Sequence, residues 1–186
     1  AQWLGAVVLS GRCGETETVP FKAFDGVIDE LCAHLAGLPA AGLEAVLPRD
    51  FGALVRLFPV LKRLDSVVAR RRVETGPADA SEVRRKGFRA LAELLARLAE
   101  RTPVVLAIDD LQWGDADSAA LLEALLRPEE APAIHLVAAT RTVASEAGQA
   151  PVVKAFLEAS HAGAVAGRAL VQRLTLWPLT PPDAEA

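Results

Sequence analysis

The chain reads as an α/β domain, a parallel sheet with flanking helices, and three observations point there. Short apolar runs at 5–10, 104–109 and 133–140 alternate with longer stretches whose apolar residues recur every three or four positions. No two-residue hairpin turn joins one run to the next, so each pair of runs is linked by a helical crossover. The run 104–109 (VVLAID) is uninterrupted, as suits a strand buried on both faces.

The first strand, 5–10 (GAVVLS), is closed by Gly11, and 14–18 follow as a polar loop. Pro20 suits a first helical turn, and Phe21, Phe24, Val27, Ile28, Leu31, Leu35 and Leu38 make one apolar stripe that Gly37 and Pro39 stop. Between about 40 and 80, apolar groups around Phe51, Leu54, Val55, Leu57 and Phe58 are broken by Pro48 and Pro59, which predicts two or three short helices. Asp79 and Glu82 have capping-box spacing for a helix carrying Val83, Phe88, Leu91, Leu94, Leu95 and Leu98 to about Arg101. After the 104–109 strand, Asp115 or Asp117 caps a helix with Leu121, Leu122, Leu125 and Leu126, which Pro128 helps to end. A third strand (133–140), a helix (152–160) and a fourth strand (170–176, LVQRLTL) complete the pattern.

At 186 residues and 52% hydrophobic composition the chain can bury a real core as one domain, and disorder is excluded. The net charge of −4, from 20 basic and 24 acidic residues, supplies no general attraction to nucleic acid or anionic membrane, so both are disfavoured as partners. Cys13 and Cys32 are too few for a disulfide framework, which fits a reducing cytoplasm. No run approaches the roughly 18 to 20 apolar residues of a membrane span, and the start lacks a signal-peptide basic flank. The chain begins without methionine and close to a strand, as expected of a piece of something longer.

The chemistry concentrates where the second strand ends. Asp109 and Asp110 are adjacent carboxylates at the mouth of an apolar strand, and a magnesium ion is their natural compensator. A bland alternative is an acidic residue that merely caps the following turn. The pattern resembles the Walker B strand of P-loop ATPases. On that likeness Asp109 holds magnesium through its water shell, as the cofactor-binding and metal residue, and Asp110 orients or deprotonates the attacking water.

Longer segments extend the likeness. Residues 11–31 (GRCGETETVPFKAFDGVIDEL), 104–122 (VVLAIDDLQWGDADSAALL), 135–141 (HLVAATR) and 173–186 (RLTLWPLTPPDAEA) together resemble the AAA-type ATPase module of bacterial signalling proteins. Such modules, in the broad STAND group, accompany serine/threonine kinase domains or occur in LuxR-type regulators. The likeness spans nearly the whole chain, and IDDLQWGDADS is its most specific part. It implies a P-loop NTPase-like fold of the additional-strand class, with ATP and Mg2+ as cofactors in the full-length parent. It also implies γ-phosphate sensing by Thr140 and Arg141, a last core strand at 170–176, and a helical lid beyond this chain. Partners would be the nucleotide and other domains of the same polypeptide (kinase, helical repeats or DNA-binding module), with self-association as a further option.

One departure stands out. No G-x-x-x-x-G-K-[ST] occurs, so the backbone cradle for phosphates and its lysine are missing from these residues. The expectation is a partial AAA-type core over 1–186 with a helical insertion at about 40–80, its P-loop strand lying upstream. That strand belongs between 133–140 and 170–176, so a gap there is expected, filled by rearrangement, by a partner chain, or not at all. ATP hydrolysis is then expected of the parent, while the isolated chain is inactive and holds no nucleotide tightly. The alternative is a non-catalytic regulatory or protein-interaction module that keeps the fold without turnover. A DNA-associated loader is weaker still, given the charge.

Other residues invite plainer readings. Trp113 reads as packing against its own helix, ahead of covering the site, and Glu15 and Glu17 as solvated loop carboxylates. Lys62, Arg63 and Arg70 to Arg72 read as a solvated basic helix face, as do Arg84, Arg85 and Lys86. His34, His135 and His161 lack metal-ligand spacing, and Cys13 reads as a small buried side chain.

Overall fold

Three of the apolar runs pair side by side, all parallel, in the order β1 (Val7–Arg12), β2 (Val104–Asp109), β3 (His135–Ala138). A computed structural model of the chain describes residues 5–16, 19–64, 79–127, 131–141, 150–166 and 170–176. Helices α1 (Asp25–Ala36), α2 (Ala40–Val46), α3 (Phe51–Leu57) and a 3-10 segment (Pro59–Leu64) separate β1 from α4 (Ala80–Ala99). A short 3-10 turn (Leu111–Trp113) leads from β2 into α5 (Ala116–Leu125), and α6 (Pro151–Val165) follows β3.

Register explains the core. Leu9 lies beside Leu106, which lies beside Leu136, and Gly11, Ile108 and Ala138 form the next row on the same face. Leu9, Val104, Leu106 and Ile108 are essentially inaccessible and join one apolar cluster with the stripes of α1, α4, α5 and α6. The opposite face is different: Val105 and Ala107 are half-buried, and their partners His135 and Val137 are exposed. The expectation that β2 is buried on both faces is therefore corrected to one face.

Two glycines set how closely α1 approaches the sheet. A Cβ on Gly26 would stand 3.0 Å from the Gly11 Cα and from the Ser10 carbonyl oxygen, and one on Gly11 would stand 3.2 Å from the Ala23 carbonyl oxygen. Helix and strand backbones meet directly there. Glu30 of α1 clasps the same strand, accepting the Ser10 N–H at 2.6 Å and the Ser10 hydroxyl at 2.8 Å.

The first helix starts later than its stripe predicts. Phe21 has φ +60° and its buried ring packs on Phe58 and Phe88, while the Ala23 N–H donates to the Ser118 hydroxyl at 3.1 Å. Those tertiary contacts hold residues 20–24 in turns, so Pro20 lies outside the helix. The short helices of 40–64 and the long helix from Asp79 appear as expected, the latter capped by Asp79 accepting the Ser81 N–H; Glu82 pairs with Lys86 instead of closing a capping box.

Residues 170–176 are not a strand. They run without sheet pairing, with Leu170 fully exposed and Leu174 and Leu176 mostly so. A run of this kind becomes a strand only where a sheet edge accepts its hydrogen bonds. The P-loop strand expected between it and β3 is not among the described residues, where the sheet ends at β3 and is contiguous from β1. No helix among the described residues is long and apolar enough to cross a membrane.

Candidate functional site

The candidate site is built where β1, β2 and β3 end together. Arg12 and Asp109 are register partners in parallel strands, so their side chains leave the same face of the sheet. The Cys13 N–H donates to the Asp109 carbonyl at 3.0 Å, carrying the pairing one residue past β1. Asp110 then turns into the left-handed region at φ +53°, a conformation that aspartate tolerates better than most residues. The 3-10 turn is anchored to the neighbouring strand by the Leu111 N–H, which donates to the Ala139 carbonyl at 2.9 Å.

That turn folds the Asp110 carboxylate back among polar partners. Its Oδ2 accepts from Arg12 Nε at 2.9 Å and Nη2 at 2.8 Å, and its Oδ1 accepts from Gln112 Nε2 at 2.9 Å. Gln112 Oε1 in turn accepts the Arg141 N–H at 3.1 Å, and the Arg141 guanidinium lies 5.9 Å from the Trp113 ring centroid. The hydrogen bonds from Gln112 and Arg12, helped by the charges of Arg12 and Arg141, hold the Asp110 carboxyl below the usual carboxylate range. The same bond to Asp110 raises Arg12 further above its ordinary value.

Asp109 is arranged differently. Its Oδ1 accepts the Asp110 N–H at 2.8 Å, its Oδ2 lies 3.8 Å from Arg12 Nε, and its side chain is 58% exposed against 17% for Asp110. An exposed carboxylate at a strand end is a fitting oxygen donor for a hydrated magnesium ion. The phosphates of a nucleotide are not matched in the same way, because these residues include no glycine-rich cradle with its lysine.

Of the residues singled out from sequence, Asp109, Asp110 and Arg141 come together. Thr140 is exposed, two residues past β3. Arg12 and Gln112 were missed, although they supply three of the bonds to Asp110. Arg12 is the last residue of β1 and faces Asp109 only through strand register, which spacing along the chain does not reveal. Trp113 is half-buried against the core, and the Arg141 guanidinium lies over its ring.

The remaining candidates have structural explanations or lie elsewhere. Asp115 caps α5 by accepting the Ser118 N–H, and Arg84 pairs with Asp117 while covering Phe21 and Phe88. Lys62 and Arg63 are exposed, Glu15 is exposed, and Cys13 is buried. Glu17 and Arg70 to Arg72 lie outside the described residues. Among the described residues no three histidine, cysteine or acidic side chains are grouped to hold a metal by themselves.

Comparison with known proteins gives one result. The family model described as AAA ATPase domain matches residues 1–139, a span that includes Asp109 and Asp110 and stops just before Thr140. No curated protein and no solved structure gives a significant match.

Proposed function

The chain belongs to the AAA ATPase domain family, and from that premise we propose that it is the nucleotide-binding core of an ATP-driven switch in a bacterial signalling or regulatory protein of the STAND type. The observation that carries this reading is the Asp109–Asp110 pair at the end of the central strand, with Arg12, Gln112 and Arg141 gathered around it.

Magnesium, when bound, neutralises charge on the phosphates during transfer. Asp109 would hold it through water, in the role that the Walker B likeness gives it. Asp110 would receive a proton from, or orient, the attacking water. Arg141, tied by its backbone to Gln112 and resting on Trp113, would face a terminal phosphate beside Thr140. The phosphate cradle would come from a G-x-x-x-x-G-K-[ST] segment upstream, and kinase, helical-repeat or DNA-binding domains of the same polypeptide would be the partners.

The test uses the full-length protein. Asp110→Asn should cut ATP turnover by about 10²-fold to 10⁴-fold, the usual contribution of a positioned base, while nucleotide binding persists. Unchanged turnover refutes the role given to Asp110. A full-length protein without a P-loop segment points to the non-catalytic module instead, and micromolar ATP binding by the 186 residues alone contradicts the missing cradle.

A further inference from the structure

We propose that Gln112 is a positioning residue that couples Asp110 to Arg141: one side-chain amide orients the water-facing carboxylate and holds the backbone of the residue that would face the terminal phosphate. This rests on the ATPase reading above.

Both ends of the amide are committed. Its Oε1 accepts the Arg141 N–H at 3.1 Å, and its Nε2 donates to Asp110 Oδ1 at 2.9 Å. A backbone N–H can only donate, so Arg141 selects the amide oxygen and turns the NH2 group toward the carboxylate, which when ionised can only accept. The two partners therefore dictate a single orientation. Glutamate would serve the Arg141 end alone, and leucine would serve neither.

The turn that carries Gln112 is itself anchored. The Trp113 N–H donates to the Asp110 carbonyl at 3.0 Å, the Gly114 N–H to the Leu111 carbonyl at 2.9 Å, and the Leu111 N–H ties the turn to Ala139. Gln112 is half-buried, whereas Arg12, the other partner of the Asp110 carboxylate, has a side chain that is 73% exposed. Exposed ion pairs are weakly held. The Arg12 contact can open without freeing the carboxylate, and Gln112 is the partner that keeps its plane. Because both Gln112 bonds share one planar amide, a shift of the backbone at Arg141, 29 residues away in sequence, turns the amide and moves the carboxylate with it.

Hydrogen exchange and kinetics test the two ends separately. In the 186-residue chain the Arg141 amide should be protected from exchange in the wild type and in Gln112→Glu, which keeps the accepting oxygen. The protection should be lost in Gln112→Leu. Equal exchange in the wild type and Gln112→Leu overturns the contact. In the full-length protein both variants should lower kcat by about tenfold to 100-fold, the scale of a misplaced catalytic group, with KM for ATP unchanged, because both remove the donor to Asp110. Wild-type kcat in Gln112→Glu, the variant closest in shape, overturns the positioning role. Asp110→Asn measured alongside separates the two ideas: if it abolishes turnover while Gln112→Glu does not lower it, the positioning role alone fails. If Asp110→Asn leaves turnover intact, the ATPase reading fails, and the positioning role fails with it.

Discussion

At the scale of single residues, Asp110 is the position where backbone and charge are most tightly coupled. Its left-handed turn gives up an ordinary conformation, and the carboxylate gains bonds from Gln112 and Arg12 in return. Those bonds favour the ionised form and hold the carboxyl low in the folded chain. A carboxyl lowered on folding stabilises the fold above its unfolded value of about 3.9, and that contribution is lost as pH falls through the folded value. Asp110→Asn should therefore be less stable than the wild type at pH 7, with the gap narrowing as the medium is acidified below about pH 4. Denaturant midpoints at several pH values measure it, and a gap constant with pH would show that the ionised carboxylate is not what the partners hold. Asp79, lowered by its bonds from Ser81, contributes with the same sign, so the Asp110 term must be read as a difference between the two proteins. Asp109 and Asp110 were legible in the sequence because an acidic pair ending an apolar run is visible in one dimension. Arg12 was not, because it meets them across 98 residues of chain.

At the scale of elements, the α1–β1 contact fixes where Arg12 emerges. Gly26 is the second residue of α1, and in a helix interior alanine is favoured over glycine by up to about 1 kcal/mol. Its Cβ, however, would meet backbone atoms of Gly11 and Ser10 at 3.0 Å, and a backbone cannot swing aside as a side chain does. We expect Gly26→Ala to destabilise the chain by about 1 to 3 kcal/mol, the usual cost of overpacking, against the helix preference. Urea unfolding of the pair measures this, and a stabilised variant would show that α1 can lift off β1 freely. Periodicity found the body of α1 and α4 because burial on one face is written every three or four residues. It misplaced the start of α1 because Phe21 is buried by partners from α4 and the 40–64 segment, not by the helix stripe it seemed to extend.

At the scale of the whole molecule, the sheet is one-sided. The row Leu9, Leu106, Leu136 belongs to or packs against the core, whereas Val137 on the other face is 56% exposed. This asymmetry was hidden in the sequence, since VVLAID reads the same whether one face or both are covered. The fourth strand was misread for a related reason: LVQRLTL has strand composition, but pairing is a property of the neighbour as much as of the run. A direct consequence is that substitutions one residue apart in register should differ sharply. Leu106→Ala removes a fully buried side chain and should cost about 2 to 5 kcal/mol. Val137→Lys places a charge on the open face and should change stability by no more than about 0.5 kcal/mol, as surface substitutions do. Chemical denaturation of both variants decides the matter. Equal losses would mean that the face carrying Val137, Arg12 and Asp109 is buried in solution, and the approach to the acidic pair would then have to be sought from another direction.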